Sequence, residues 1–414
     1  MTDREALFRA ILDNPDDDTL RLIYADALEE EGDARRAAFI RCQIEFAKVP
    51  EYDPVWIRVR YLDPDKMFGT WLIDELPALP ERLSWAREPF RRGFPAAIQS
   101  NSAAAFVDHA DELFALAPIE AVELVAPRLA EVTTFAKCPW RNRLIRLSVV
   151  EGLGGQSARR LFGSAHYERL KELHIGAALS TDDTASAIVR SHTFKQLTTL
   201  SCRADRASDL TLVNELIQLA DPPRLKTLDL SGNRLSGEQL RRLTAAPALS
   251  LVEDLDLSDN NLGAEAVGAV ARAHLPHLRS LHLLRTRPEE DGVRALSEAE
   301  YLSDLRSLTL GGNYLSPTVA AILADSKAVA NLRDLDLREN RLGDLGATSL
   351  ANSPHLRNLA HLDLSSNLIE DDGADALAES PYLGGLIYLD LRGNIISTPA
   401  ATRLKRRFWD RVVV

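Results

Sequence analysis

Leu332-Arg-Asp-Leu-Asp-Leu-Arg-Glu-Asn-Arg-Leu342 is followed, at an offset of twenty-seven residues, by Leu359-Ala-His-Leu-Asp-Leu-Ser-Ser-Asn-Leu-Ile369. The phrase Leu-x-x-Leu-x-Leu-x-x-Asn-x-Leu recurs seven times, beginning at Leu225, Val252, Leu278, Leu305, Leu332, Leu359 and Leu386. Its fourth position falls at Leu228, Leu255, Leu281, Leu308, Leu335, Leu362 and Leu389, so every step is twenty-seven residues except one of twenty-six. A fixed interval of this size marks stacked copies of one supersecondary unit, because a single copy cannot bury its own leucines. Weaker copies at 119–124, 144–149, 170–175 and 197–202 place the fourth position at Val122, Leu147, Leu173 and Leu200. This predicts eleven strands, and a twelfth if 96–99 opens the set.

Ala- and Leu-rich stretches at 263–271, 343–351 and 373–378 lie between the strands and read as helices, with small residues that let neighbours approach closely. Pro139, Pro247, Pro354 and Pro381 each stand eight residues before the next strand leucine and end the helix there. Each unit is then strand, turn, helix, turn, and stacking makes the strands a parallel sheet on the concave side with helices outside. The phrase asparagines (Asn233, Asn260, Asn313, Asn340, Asn367 and Asn394) suit the turn, since an amide both donates and accepts and so pairs backbone groups left over there. The slot holds Pro127, Gly152, Ala178, Asp205 and Thr286 elsewhere, which predicts looser turns.

These repeats resemble the ribonuclease-inhibitor-like class of leucine-rich repeats over roughly 96–399. The resemblance implies an α/β horseshoe solenoid with a parallel concave sheet, outer helices and a small α-helical N-terminal cap. The opening, Ile11-Leu12-Asp13-Asn14-Pro15-Asp16-Asp17, then Arg21-Leu22-Ile23-Tyr24-Ala25-Asp26, Glu30, Gly32-Asp33, Arg36-Ala37 and Phe39-Ile40-Arg41, resembles the repeat-companion domain of bacterial repeat proteins. That likeness implies a bacterial origin and an architecture, and it brings no catalytic residue.

The expected organisation is a helical companion-like segment at 1–47, an irregular Pro- and aromatic-rich capping segment at 48–93, the array of about eleven repeats at 94–400 and a C-terminal cap at 401–414. In the first segment, aspartates before Thr19 read as a helix cap, and Asp26 with Arg36 as an inter-helix ion pair. The prolines of 48–92 predict irregular helices. The tail reads as a basic helix and an apolar strand, Val412-Val413-Val414.

The 414 residues carry 45% apolar side chains, ample for a continuous core, and a net charge of −12, which argues against general affinity for nucleic acid. Three isolated cysteines, Cys42, Cys138 and Cys202, suit a reducing compartment. The opening shows no charged-then-apolar leader, and no apolar run approaches the roughly 18 residues that span a bilayer. A cytoplasmic protein without membrane contact is expected.

Strand alternation turns Asp229, Asp256, His282, Thr309, Asp336, Asp363 and Asp390 outward, flanked by Asp254, Asp334, His361 and Tyr388 on one side and Arg203, Arg338 and Arg392 on the other. Two readings stand for the acidic ladder. It is an ordinary solvated face, since carboxylates about 5 Å apart repel by only roughly 0.8 kcal/mol in water, or it is a site for a cationic partner. Metal binding fails on geometry: His174 and His282 lie about 19 Å apart at parallel-strand spacing, whereas zinc ligands stand near 2 Å from the ion.

Phosphate loops, nucleophile elbows and activated cysteines are absent from the sequence. The expectation is a scaffold without catalysis or cofactor, binding a protein or peptide, for which a basic surface would suit the ladder, through Asp229, Asp256, Asp336, Asp363, Asp390, Arg338, Arg392 and Tyr388. The rival is regulation of a nucleotide-hydrolysing partner. Ran-type GTPase activators resemble this chain in repeat type, but none of their catalytic residues is matched. Self-assembly is a third course, and the oligomeric state is not legible.

Overall fold

A computed structural model of the chain describes residues 3–62, 69–151, 153–163, 167–176, 182–203, 211–221 and 223–414. Phe68 and Pro64 of the capping segment, and Gly152, Ala178 and Asp205 of the asparagine slot, lie outside them. The chain forms two compact units, residues 1–197 and 198–414.

The first unit opens with α1 (Asp3–Asp13), α2 (Asp18–Glu30) and α3 (Ala34–Phe46). Their apolar stripes close on Ile11, Ala25, Leu28, Ala37, Ile40 and Ile44, together with Phe94. Asp17 caps α2, its Oδ1 accepting the Thr19 N–H at 2.8 Å. The expected Asp26–Arg36 pair does not form. Arg41 takes Asp26 and Glu29, both at 2.6 Å, while Arg36 donates to the Gly93 carbonyl at 2.6 Å and lies over the Phe90 and Phe94 rings. Helix packing aims Arg36 inward toward a carbonyl, and Arg41 is the long cation left facing the acidic edge of α2.

The proline-rich stretch holds α4 (Pro54–Leu62) and a 3-10 turn at Thr70–Glu75, and then departs from irregular helix. Strand β1 (Leu83–Trp85) pairs antiparallel with β4 (Ala97–Ser100), and β2 (Phe90–Arg91) pairs with β3 (Phe94–Pro95) in a hairpin. Gly93 makes that hairpin possible: φ is +82°, and an added Cβ would stand 2.6 Å from the Ile40 Cα. The twelfth strand is present as β4. From it the sheet runs in parallel through β5 (Ala121–Leu124), β6 (Arg146–Val149) and β7 (Glu172–Ile175).

In the second unit β8 (Thr199–Cys202), β9 (Thr227–Asp229), β10 (Asp254–Asp256), β11 (Ser280–His282), β12 (Ser307–Thr309), β13 (Asp334–Asp336), β14 (His361–Asp363) and β15 (Tyr388–Asp390) pair in sequence order. Every pair is parallel and in register, leucine beside leucine. Helices such as Gly263–Arg272 and Gly343–Ala351 cover one face, and the phrase leucines beneath them are buried. Helix spacing depends on small residues: a Cβ on Gly346 would meet the Ala320 Cβ of the preceding helix at 3.2 Å. Pro139, Pro247 and Pro354 each open a 3-10 turn at its first residue, where a missing N–H costs nothing. The tail forms helix Thr398–Phe408 and β16 (Val412–Val413), parallel to β15.

Each turn is tied by the asparagines as the amide chemistry requires. Asn340 Nδ2 donates to the carbonyls of Leu310 (3.1 Å) and Leu337 (2.8 Å), and its Oδ1 accepts from the N–H groups of Asn313 (3.0 Å) and Leu315 (2.9 Å). Asn260, Asn313 and Asn394 repeat the pattern. The Thr286 turn is not looser. Its hydroxyl donates to Leu283 O at 2.8 Å and its own N–H to Asn313 Oδ1 at 2.7 Å. No described helix is long and apolar enough to cross a membrane.

Candidate functional site

The face of the second unit's sheet opposite the helices carries the outward side chains of β8–β15. Register places Asp254, Ser280, Ser307, Asp334, His361 and Tyr388 in one column across adjacent strands. Asp229, Asp256, His282, Thr309, Asp336, Asp363 and Asp390 form the next.

The aspartates have a local duty that alternation alone does not reveal. Each closes its strand by accepting the backbone N–H two residues on: Asp229 from Ser231 at 2.9 Å, Asp256 from Ser258 at 2.8 Å, Asp336 from Arg338 at 3.0 Å, Asp363 from Ser365 at 2.9 Å and Asp390 from Arg392 at 3.0 Å. This is the Asx turn, in which a short carboxylate stands in for a backbone acceptor. Where His282 replaces aspartate, the Leu284 N–H turns instead to Ser258 Oγ at 3.2 Å.

The ladder is also less solvated than alternation predicts. Asp229 and Asp256 are half-buried, while Asp336, Asp363 and Asp390 are buried beside leucines that are themselves buried. Arg392 grips Asp390 with Nε at 3.0 Å from both carboxylate oxygens and Nη2 at 2.5 Å from Oδ2, and Arg338 Nη1 stands 3.4 Å from Asp336 Oδ2. The Arg392 side chain remains 64% exposed, that of Asp390 only 3%. At this end the surface therefore presents guanidinium, with carboxylate as its footing. Burial pushes Asp336 up to about 6, with Asp363 adding to the rise and Arg338 opposing it.

Two polar chains cross the middle strands. His282 Nδ1 meets Thr309 Oγ1 at 3.0 Å and its Nε2 lies 3.3 Å from Asp254 Oδ1. Burial alone would lower the ring's pKa, but the Asp254 bond and the charges of Asp254, Asp256 and Asp334 raise it to about 9, so His282 is an imidazolium at neutral pH. Next to it Asp334 accepts from Ser307 at 3.1 Å and bonds His361 Nδ1 at 2.6 Å, and the His361 ring stacks on Tyr388 at 5.8 Å. Burial pushes the Asp334 carboxyl up, and the bonds to His361 and Ser307 with the His282 charge more than offset it, leaving it below the usual range.

Ser307, Asp334 and His361 do not form a nucleophile–base pair. The carboxylate sits between serine and histidine and takes the Ser307 proton donor for itself, whereas a serine nucleophile must give its proton to the imidazole. Among the described residues, no three His, Cys, Asp or Glu side chains gather as a metal would require. His274 and His277 sit exposed on the turn before β11.

The Asp334–His361 contact was open to sequence reasoning, because residues one repeat apart are neighbours on adjacent strands. The diagonal from His282 to Asp254 was not. Nor was the Asp259 clamp, where Arg285 Nε and Nη2 bind at 2.6 and 3.1 Å with Arg203 at 3.6 Å.

Leucine-rich repeat family models match the chain at residues 224–244, 249–271, 330–351 and 355–378, under the descriptions Leucine Rich Repeat and Leucine Rich repeat. The fold is thus a leucine-rich repeat solenoid with an α-helical N-terminal region. Among solved structures, the chain is similar to a chain of the yeast Rad7 and Elc1 complex, with 17% identity over 74% of this chain and 78% of that one and a TM-score of 0.49. It is also similar to a Bacteroides fragilis structural-genomics protein, with 15% identity over 73% and 76% and a TM-score of 0.39. No curated protein matches it.

Proposed function

We propose that the second unit is a non-catalytic docking scaffold, and that a protein or peptide partner lies along its sheet face between β9 and β15. The observation that carries this reading is the Arg392–Asp390 clamp: an exposed guanidinium is held in one orientation by a carboxylate beneath it. Such a cation meets a partner's carboxylate with little rotamer entropy left to lose, and fixed arginines and aromatics are the side chains that anchor interfaces. Arg338 supplies a second cation, while the Tyr388 ring, expected on this surface, is buried against His361 and backs the face from within. Asp229 and Asp256, half-open at the other end, suit a basic group, while Asp336, Asp363 and Asp390 act from below by orienting what lies above them. The partner that fits is therefore mixed in charge, its acidic part over Arg338 and Arg392 and its basic part over Asp229 and Asp256. Three isolated cysteines support action in a reducing, cytoplasmic setting, and the opening segment's resemblance supports a bacterial one.

Capture from native extract with wild type, Arg338→Glu/Arg392→Glu and Asp229→Lys/Asp256→Lys tests the reading, each checked for folding by circular dichroism. Loss of a cross-linked, mass-identified partner in either pair is the expected result. Retention of every partner by both variants would remove this face from consideration.

A further inference from the structure

The first unit holds a cavity of about 540 Å³ that the repeat face does not involve. It is lined by the rings of Phe46 and Phe90 with Ile145, and by Arg91, Arg92, Lys171 and Glu120. Glu120, Ile145 and Lys171 are the residues that lead into three consecutive strands, β5, β6 and β7, so the stacking of the repeats itself brings them to one wall.

Behind that wall Arg21 is wholly buried. Its Nη2 donates to the Pro15 carbonyl at 2.8 Å and stands 4.0 Å from Glu120 Oε1, and its guanidinium lies over the Phe94 ring at 5.0 Å. Arg91 Nη2 is tied to Glu172 Oε1 at 2.9 Å, and Arg92 Nε stands 3.6 Å from Asp18 Oδ1. One edge of Arg21 and of Arg91 is thereby fixed by a hydrogen bond, and Arg92 rests within ion-pair range of Asp18 and, through Nη1, of Asp16 at 3.9 Å. Yet Arg21 Nε and Nη1, Arg91 Nη1 and Arg92 Nη1 have no hydrogen-bond acceptor among the described residues. Desolvated donors of this kind are costly to leave unmade, and they gather in a chain whose net charge is −12.

We propose that this cavity binds a small organic anion. Its carboxylate or phosphate head is taken by Arg91 and Arg92, whose side chains remain 25% and 30% exposed, with Lys171 nearby. Its apolar body lies against Phe46, Phe90 and Ile145. Planar forks match an oxyanion's spacing, the paired carboxylates hold them in advance of binding, and the volume is that of a metabolite-sized site. Glu120 sets the limit: it is a buried carboxyl on the same wall, whose pKa burial raises against the pull of Arg91, Arg21 and Arg92. The site is in a different unit from the proposed docking face, so the two stand or fall separately.

Thermal shift and calorimetry on the full chain test it, using phenyl phosphate, benzoate, inorganic phosphate and benzyl alcohol, with sodium chloride at matched ionic strength. A saturable rise in Tm with phenyl phosphate or benzoate is expected, and the tighter of the two identifies the head group. Arg92→Gln should weaken binding about tenfold, the worth of one charge-assisted bond, and Glu120→Gln should tighten it several-fold by removing a like charge. If Arg92→Gln does not fold, Arg92→Lys keeps the charge, loses the fork and should bind more weakly than wild type. No rise beyond the chloride control, equal affinity in a folded Arg92 variant, or benzyl alcohol binding as tightly as benzoate would overturn the proposal.

Discussion

The repeats of residues 97–197 and those of 198–414 solve one stacking problem with different materials. In the second unit the core is mainly leucine, valine and alanine, helices mostly run eight to eleven residues, and turn after turn is tied to the next by an asparagine, with Thr286 the described exception. In the first unit's repeats the described helices are shorter, as in Ala103–Asp108 and Gly155–Ala158, and a π-helical turn at Arg159–Gly163 follows the second of these. The only slot residue described there is Pro127, which has no side-chain amide to give. What the first unit's repeats add to their aliphatic core is aromatic: Phe106 packs on Phe135 at 5.5 Å and on Phe114 at 6.3 Å, and Phe114 stacks on Trp140 at 4.5 Å. Among the described residues of the second unit the buried aromatics are Tyr388 and Phe408. A polar ladder makes regular aliphatic layers sufficient; without it, large rings supply the contact area that holds successive repeats together.

That contrast breaks most visibly at Phe106. The ring is fully buried between two others, so Phe106→Ala removes both transfer energy and packing, and we expect a loss of about 3–5 kcal/mol in urea unfolding. Asn340→Ala comes next, at about 2–4 kcal/mol, because it strands the Asn313 and Leu315 N–H groups in a buried turn, while the Leu310 and Leu337 carbonyls each keep one amide donor, from Asn313 and Asn367. A cost under about 0.5 kcal/mol for Asn340→Ala would mean that the turns hold without the ladder, and the distinction between the units would fail.

Much of this was readable before any coordinates. The Leu-x-Leu spacing located β9–β15, and the amide's double capacity located the turn bonds. What stayed hidden depended on backbone angles or on side-chain reach. Asp336 and its counterparts read as outward charges, yet each bends back to an N–H two residues on, which only the turn's geometry discloses. β1 is three residues long and flanked by proline-rich sequence, so its pairing with β4 comes from tertiary context and leaves no periodic signal. Asp26 chooses Arg41 over Arg36 because helix packing decides which long side chain faces it.

The units also differ in how the second answers to pH through its sheet face. His282, raised from 6.5 to about 9, contributes stability that is fully present below pH 6.5 and is lost as pH rises through 9. Because the ring is still 30% exposed, we expect the contribution to be on the order of 2 kcal/mol rather than the full value of the shift. The difference in unfolding free energy between wild type and His282→Gln should therefore shrink between pH 6 and pH 10. A difference that stays constant across that range would show that Asp254 and Thr309 do not hold the ring charged.

The smallest effect we expect is at the place where, among the described residues, the second unit departs from its own rule. Thr286 occupies the asparagine slot in the repeat that is a residue short, and Thr286→Asn would restore the phrase. Its turn has already met the demand by other means. The Thr286 carbonyl accepts the Leu262 N–H at 3.0 Å, the bond an asparagine side chain makes to Leu235 and Leu315 elsewhere, and the Thr286 hydroxyl reaches Leu283 O. An added amide finds no orphan group to pair and must fit a fully buried site, so the change in stability should stay within about 0.5 kcal/mol. A gain well above that in urea unfolding would reveal a slack turn at 286. The ladder's worth would then lie in the asparagine itself, whereas the bonds seen here place it in the satisfaction of the backbone, which a threonine with one well-placed carbonyl achieves equally.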